Sequence, residues 1–458
     1  MSTTRSGLLA RTLTTLATGA VLVAAPGLAA SAAAAEAPTT ATGRAGLAGS
    51  FVAATLVDGD HYDYPGGDWF DGGNTIDAVL ALDGAGVGLD TADAAMGYLA
   101  ANVGGSGDDN YIGTGGERYA GPLAKTLLAV VAHGGDPASF GGVDLVAELQ
   151  ALEGTVEPGR FSDASAWGDY SNTIGQSLAV IGLERAGVGA SAEATAFLLA
   201  QQCPDGGFRG DPAAATCESD PDASAFAAQA LLQVGATGEA DAALDHLSGL
   251  QSAAGGVPGD GAPENANTTG VTVQALLAGG RTAAVSAGQA FLASLQYDCT
   301  AAEALRWGIA YDDSTRSTAD VRDSDLRATP QAALALAGAS LLSVGSAGSA
   351  AGLPAFECAT PTTSAPTTST AASGSETTSS EPTSTTASAP STSTTSSAAA
   401  AGSDTDPSTT SAAAVAGAGP AALAETGSNP LLPATVGLLL VVLGALAVWG
   451  SRRRGAHA

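Results

Sequence analysis

The feature that most constrains the fold is a helical repeat that returns about every 45 to 52 residues. Six apolar segments, FVAATL, YLAANV, LVAELQ, FLLAQQ, HLSGLQ and FLASLQ, end in a similar way. Their ends lie at or beside Val57, Val103, Gln150, Gln202, Gln251 and Gln296. A period of this length is typical of a solenoid or a ring built from helical hairpins.

A second helical series alternates with the first, and its members open at Asn74, Ala120, Asn172, Asp222, Asn267 and Ala328. Most begin with a residue that caps a helix start and close on glycine, as helix ends prefer. Each unit therefore reads helix, long loop, helix and short link. The pattern predicts an all-α fold over residues 44–358, an α/α toroid with six inner and six outer helices, because a closed ring buries the apolar face of every unit. An open α-solenoid is the alternative, and the unequal loops on one side favour closure.

One position inside the second series is polar in every unit: Asp77, Lys125, Gln176, Gln229, Gln274 and Gln331. Buried polar groups need hydrogen-bond partners. We therefore expect a network between neighbouring helices, with a wet lumen as the alternative. Asp77 and Lys125 belong to consecutive units and are predicted to form an ion pair.

The N-terminus predicts export. Residues 1–35 carry Arg5 and Arg11 before an apolar stretch and a run of small residues, which is typical of a cleaved signal peptide. A buried N-terminal helix is the alternative, and Pro26 disfavours it. Residues 36–43 then form a short linker to the toroid.

Export makes the four cysteines candidates for disulfides. Four cysteines allow three pairings. We predict the pairing of sequence neighbours, Cys203 with Cys217 and Cys299 with Cys358.

Residues 359–422 consist almost entirely of Ser, Thr, Ala, Pro and Gly. Such a segment has too few apolar residues to offset chain entropy, so it is predicted to be a disordered spacer of the kind that is often O-glycosylated. About sixty residues reach roughly 200 Å when fully extended, which suits a spacer through a thick cell envelope.

The C-terminus combines the motif LAETG at 423–427, an apolar span at 431–450 that predicts a transmembrane helix, and a basic tail at 452–458. This order resembles a sortase signal of the LAxTG type found in high-GC actinobacteria. The resemblance implies cleavage between Thr426 and Gly427 and transfer of Thr426 to peptidoglycan, so sortase and peptidoglycan are the expected partners at the cell wall. A plain single-span membrane protein is the alternative. The motif residues are Leu423, Ala424, Glu425, Thr426 and Gly427.

The fourth unit reads FLLAQQCPDGGFRGDP from Phe197 to Pro212 and continues with DPDASAFAAQALL. These stretches resemble the repeats of the squalene-cyclase and protein-prenyltransferase superfamily, and most closely the exported bacterial surface proteins with prenyltransferase-like repeats. The resemblance covers most of residues 44–345, although only this unit shows it sharply. It implies an α/α toroid, a fold that also occurs in cobalamin-binding intrinsic factor.

The long loops converge on one side of the predicted ring and carry most of its aromatic residues, including three of the four tryptophans. One interpretation is a face that binds a glycan or a small molecule. The other is that the aromatic residues plug the core while Asp and Gly serve turns. The candidates for the ligand face are Asp68, Trp69, Asp71, Tyr111, Tyr119, Trp167, Asp169, Tyr170, Phe208, Asp211, Trp307 and Tyr311.

The catalytic motifs of terpene cyclases and protein prenyltransferases are incomplete in this sequence. The strings DPDA at Asp220–Ala223 and DSDL at Asp323–Leu326 lack the final carboxylate of the cyclase acid motif, and no histidine follows Cys217 at a spacing that would complete a zinc triad. We expect no metal or cofactor and a domain that binds rather than catalyses. The alternative is an extracellular glycoside hydrolase or lyase that uses paired carboxylates in the same cavity.

The net charge of the chain argues against nucleic acid as a partner. Lys and Arg number 16 against 45 Asp and Glu, which gives −29. A surface this acidic repels nucleic acid and anionic headgroups. We therefore expect no nucleic-acid partner.

Overall fold

The computed structural model describes residues 38–67, 69–103, 110–356 and 358. The predicted signal peptide, spacer, sorting motif, membrane span and basic tail lie outside these ranges. Among the described residues, no helix combines the length and apolar character needed to cross a bilayer.

Six helices form the inner ring and pack side by side in chain order, and the last returns to the first. This closure confirms the α/α toroid and excludes the open solenoid. The inner helices are α2 (Gly72–Ala85), α4 (Ala120–His133), α6 (Thr173–Arg185), α8 (Pro221–Gln233), α10 (Ala266–Ala278) and α12 (Asp323–Leu336).

The outer helices pack against the inner ring, each on the inner helix that precedes it in the chain, and α1 (Ala41–Thr55), which precedes them all, bridges α12 and α2 where the ring closes. A two-stranded hairpin, β1 (Val257–Pro258) and β2 (Glu264–Asn265), and a 3-10 turn at Glu303–Leu305 lie in the connecting loops. The outer helices are α1 (Ala41–Thr55), α3 (Leu89–Ala101), α5 (Leu145–Ala151), α7 (Ala192–Leu199), α9 (Thr237–Leu250) and α11 (Thr282–Leu295).

Every inner helix begins at the end of the ring that carries the long loops, which we call the loop face. Four inner helices start at side-chain caps that accept a backbone N–H: Asp71, Asn172, Asp220 and Asn265. Three of these caps lie two or three residues before the predicted helix starts. Only Asn172 is both the predicted start and the observed cap. The opposite end, with the short links, is the link face; there Gly134 ends α4 in the left-handed conformation that glycine adopts without strain.

Four of the six polar positions of the inner helices form the predicted network, and Gln229 instead bonds to its own helix and to the chain that follows α12. Lys125 Nζ lies 2.8 Å from Asp77 Oδ1, which confirms the ion pair between consecutive units. Gln331 donates to the other oxygen of Asp77 at 3.4 Å, and Gln274 donates to the Gln331 carbonyl at 3.1 Å. Gln176 instead turns outward and holds the loop before its own helix.

Both predicted disulfides are present, Cys203–Cys217 and Cys299–Cys358. The first bond closes the loop that contains the Gly-Gly-Phe sequence of the fourth unit. The second joins the end of the described chain to the loop that follows α11.

The link face is covered by the chain itself, a feature the repeat pattern did not predict. Residues 337–356, which we call the C-terminal strap, leave α12 and cross this end of the ring. Arg185 donates to the carbonyls of Leu341 and Val344, and Gln229 accepts from the Leu341 N–H at 2.9 Å. Leu341 and Val344 are buried, so the strap seals the ring at this end.

Candidate functional site

The Gln…Gly-Gly-Phe motif of the fourth unit holds the loops to the helices. Phe208 is fully buried, and its N–H donates to the Ser224 hydroxyl of α8 at 2.8 Å. Gln202 donates to the carbonyls of Gly206 and Glu239. The motif therefore positions a loop and leaves none of these groups free for a ligand.

The same arrangement recurs in other units. A hydroxyl within the first two turns of the inner helix accepts the N–H of a buried loop residue at 2.9 Å in three further pairs: Thr75 with Tyr62, Thr269 with Val257, and Thr329 with Ile309. The repeat therefore encodes loop attachment as well as helix packing.

The middle of the ring is filled by side chains. A cavity of only about 20 Å³ remains there, and a single water molecule already needs roughly 10–15 Å³. Apolar side chains occupy most of the ring axis, and the polar groups at the cavity belong to the network around Asp77 and Lys125. The lining residues include Leu80, Leu128, Leu178, Phe226, Val271, Leu334 and, from the strap, Leu341.

Asp71, a candidate for the ligand face, lies almost completely buried at the start of α2. It accepts the Asn74 N–H at 2.9 Å, and its second oxygen lies 3.1 Å from Arg327 Nη2 on α12. Burial raises the pKa of Asp71, while Arg327 and the Asn74 N–H act in the opposite direction. The carboxylate thus caps one inner helix and ties it to the helix that closes the ring.

Tyr111 and Tyr119 also lie in the core. The Tyr111 ring packs against the first turn of α2, where a Cβ at Gly72 would approach it to 2.4 Å. Burial raises its pKa well above the ordinary value, and among the described residues its hydroxyl has no hydrogen-bond partner. Tyr119 directs its hydroxyl to Glu117 at 3.0 Å. With Phe208, these are three candidates that serve packing, because their rings fill the space between loops and inner helices.

Trp167 and Tyr170 behave differently, since they project from the loop before α6 and are 65% and 49% exposed. The Tyr170 hydroxyl donates to the Trp167 carbonyl at 2.9 Å, and its ring lies beside Gly168. Two exposed aromatic side chains therefore stand on one loop of the loop face, linked through the Trp167 carbonyl, and we call this pair the aromatic platform.

Carboxylates fix the backbone of the loop that carries the platform. Asp163 accepts the N–H groups of Ala120 and Tyr170 at 2.8 and 2.9 Å. Asp169 accepts the N–H of Asp163 at 3.1 Å and pairs with Arg160 at 3.0 Å. Asp169 is thus a brace of the loop, a role that sequence reasoning did not separate from ligand contact.

The electrostatics of the two braces differ. Burial raises the pKa of Asp163, and the two backbone donors only partly offset it. At Asp169 burial also acts upward, but hydrogen bonds from Ser171 and Asp163 and the charge of Arg160 together lower its pKa. Asp169 therefore keeps its charge, and its ion pair with Arg160, to a lower pH than an ordinary aspartate would.

The remaining candidates are scattered around the ring. Trp69 is 60% exposed in the loop before α2, and Asp211 is an exposed turn residue that accepts the Ala213 N–H. Trp307 has a φ of +74° and packs edge-on against Phe356 of the strap, with ring centroids 5.0 Å apart. Tyr311 is half-buried, and its carbonyl accepts the Ala266 N–H. Asp68 lies outside the described residues.

Within the described ranges, no group of three or more His, Cys, Asp or Glu side chains is placed to hold a metal ion. Sequence reasoning missed Arg327, which pairs with Asp71 across 256 residues of chain. Residue spacing carries no information on such a distant pair.

No protein-family model matches the chain, and no curated protein is similar to it in sequence at a significant level. Among solved structures, it is similar to the GH76 alpha-mannanase of Bacteroides thetaiotaomicron, with 14% identity and a TM-score of 0.50 over 66% of this chain and 96% of that one. It is also similar to the type II terpene cyclase MstE from Scytonema, at 14% identity, TM-score 0.46, and coverage of 65% and 97%. It is similar to the ent-copalyl diphosphate synthase from Streptomyces platensis at 21% identity and a TM-score of 0.40, over 58% of this chain and 50% of that one. The likeness to the mannanase concerns the α/α fold.

Proposed function

We propose that this chain is a cell-wall-anchored surface protein whose toroid binds a glycan, a small ligand or a partner through its loop face. The observation that carries the proposal is the aromatic platform, where Trp167 and Tyr170 are exposed at 65% and 49%. Exposed apolar side chains that lie together on a protein surface are candidates for an interaction site. Aromatic rings combine a broad apolar face with a polar handle, which suits contact with sugars and other amphipathic ligands.

The rigidity of the platform supports binding. Asp163, Asp169 and Glu117 accept backbone N–H groups within this loop region, at Tyr170, Asp163 and Ala166 respectively. A surface that is already ordered loses little conformational entropy when a ligand binds. Because these carboxylates are engaged as braces, the recognition groups of the platform are its aromatic faces.

The filled ring favours binding on the surface over catalysis in the lumen. A carboxylate-dependent hydrolase requires a cavity that admits substrate between two carboxylates, whereas the central cavity measures about 20 Å³. The carboxylate nearest to it, Asp77, is paired with Lys125 at 2.8 Å. Hydrolysis is therefore the alternative that the binding experiment also measures.

The cell-wall address is supported by the order of the C-terminal sequence and by the two disulfides, which are typical of exported proteins. In the proposed arrangement, sortase couples Thr426 to peptidoglycan, and residues 359–422 hold the toroid away from the wall. The toroid then faces the surroundings of the cell.

The binding proposal is tested by screening the wild-type protein against neutral and charged glycans, wall polysaccharide fragments and small-molecule panels, together with surface pull-downs. We expect at least one saturable ligand and no release of reducing sugar. Failure of all of these assays contradicts the proposal, and release of sugar or peptide from wall or plant polymers favours the hydrolase.

The address is tested separately by fractionating cells that express wild type or Thr426→Ala. Muramidase should release the wild-type protein, while the variant should stay with the membrane and need detergent. Release of both proteins by detergent alone would identify a plain membrane protein instead.

A further inference from the structure

We propose that the Cys299–Cys358 disulfide is a mechanical clamp, which keeps tension on the C-terminal chain from peeling the strap off the link face. Cys358 is the last described residue, and 100 residues follow it, since 458 − 358 = 100. By covalent order, a pull on those residues reaches the described part of the chain first at Cys358. The bond to Cys299 passes that load to the loop after α11 before it reaches the strap.

The outer half of the strap is weakly held. Residues 350–355 are exposed, and the strap is attached there mainly by backbone hydrogen bonds to the α2–α3 link. The Gly88 N–H donates to the Gly352 carbonyl at 3.0 Å, and the Leu89 N–H donates to the Ala350 carbonyl at 3.0 Å. Backbone hydrogen bonds to an exposed segment with few buried contacts open at low free energy, and a pull from the Cys358 end loads these bonds one after another.

Loss of the strap would expose the ring at its link face. Its inner half contributes Leu341, which lines the central cavity, and Val344, which is 1% exposed. Ser346 donates to the His133 carbonyl at 2.6 Å and links this half to α4. A strap peeled back to α12 would uncover all these contacts, so its free end needs protection.

Cys299 is well placed to bear load. It lies two residues after Tyr297, which forms a small buried cluster with Leu305 and Ala310. Around it, the Tyr297 N–H donates to the Gly308 carbonyl at 2.8 Å and the Ile309 N–H donates to Thr329 of α12 at 2.9 Å. The load therefore passes into a buried cluster and an inner helix, which resist extension together.

The second disulfide provides a matched control. Cys203 and Cys217 are only 14 residues apart, and both lie in the fourth unit. Their bond does not lie between the C-terminal chain and the strap. Its removal should leave the path of the load unchanged.

The test is single-molecule force spectroscopy on the exported chain, with handles at its two termini. Wild type and the C203S/C217S variant should extend only when the ring unfolds. The C299S/C358S variant should show an additional event at lower force, which lengthens the chain by up to roughly 70 Å as the 20 strap residues straighten. The proposal is overturned if that variant unfolds without the early event, or if the wild type already shows it.

A second measurement removes any dependence on how the variant folds. Folded C203S/C217S protein, which retains only the Cys299–Cys358 bond, is pulled before and after treatment with a thiol reductant. The early event should appear only after reduction, and its absence then contradicts the clamp. The value of the clamp on a cell rests on the proposed wall attachment. Both force measurements use purified protein, so a failed clamp and a failed attachment give distinguishable results.

Discussion

The two ends of the ring differ in how their apolar side chains are covered. At the link face, the chain covers itself: Leu341 and Val344 of the strap are buried, and Arg185 holds their carbonyls. At the loop face, Trp167 and Tyr170 stay in contact with water although both are large and apolar. The link face is therefore covered by the chain itself, whereas the loop face leaves aromatic side chains uncovered. A ligand can bury apolar surface at the loop face, and that burial would favour its binding there.

The largest expected effect concerns the seal. Leu341→Ala removes a side chain that is 4% exposed and lines the central cavity. Truncation of a buried leucine costs about 3 kcal/mol, because apolar contacts are lost and a cavity remains. Denaturant unfolding measures the change. Leu353→Ala, on the same strap but 42% exposed, is the control and should cost less than about 1 kcal/mol; equal costs for the two would show that the strap is no seal.

The next effect concerns His133, which fastens the link face beside the strap. Its ring nitrogens lie 3.0 Å from Asp83 and 2.8 Å from Asp93, and the hydrogen bond to Asp83 raises its pKa above the ordinary 6.5 despite burial. His133→Gln should cost about 2 kcal/mol at pH 6, because charged hydrogen bonds are lost and the Asp83 carboxylate stays buried.

The same histidine predicts a pH dependence. A raised pKa in the folded state means that protonation of His133 favours folding. Its contribution is complete below pH 6.5 and is lost as the pH rises through the higher folded value. Unfolding curves from pH 6 to pH 9 should therefore show a larger loss of stability for wild type than for His133→Gln. Parallel curves would contradict this role.

A smaller effect is expected beneath the platform. Asp163→Ala removes the acceptor for the first N–H of α4 and for the Tyr170 N–H. The loss of such a helix-start acceptor costs about 1 kcal/mol, and amide hydrogen exchange at Tyr170 should accelerate. Asp211→Ala, which removes an exposed turn carboxylate, should change the free energy of unfolding by less than about 0.5 kcal/mol. Unchanged exchange at Tyr170 in the Asp163 variant would show that the platform needs no brace.

The smallest effect on stability is expected at the platform itself. Trp167→Ala should alter the free energy of unfolding by no more than about 0.5 kcal/mol, since the side chain is 65% exposed. A loss of 2 kcal/mol or more in denaturant unfolding would instead make Trp167 part of the core and remove the contrast between the two ends.

Much of this fold could be predicted from the sequence, because each unit repeats the signals that define it. Helix period, glycine ends and the pairing of Asp77 with Lys125 follow from residue type and spacing alone. The predicted helix start lies two or three residues too late in three units, because the capping residues Asp71, Asp220 and Asn265 have polar neighbours that could serve equally well. The predicted start of the last inner helix, Ala328, is also too late, since α12 begins at Asp323.

The candidate site was harder to predict for a physical reason. Phe208 and Trp167 both stand in loops among Asp and Gly, yet one is fully buried and the other 65% exposed. Their difference depends on whether a hydroxyl such as that of Ser224 holds the adjacent backbone against an inner helix. The strap escaped prediction as well, because its small residues and glycines have no helical period.

The most direct test of the account is to measure the affinity of a ligand found by the screens for wild type, Trp167→Ala and Leu353→Ala in parallel. Both substitutions truncate a partly exposed apolar side chain, one on each end of the ring. We predict at least a tenfold loss of affinity for Trp167→Ala, about 1.4 kcal/mol, and no change for Leu353→Ala. Equal affinities for all three proteins, or a loss confined to Leu353→Ala, would contradict the assignment of the loop face as the binding surface.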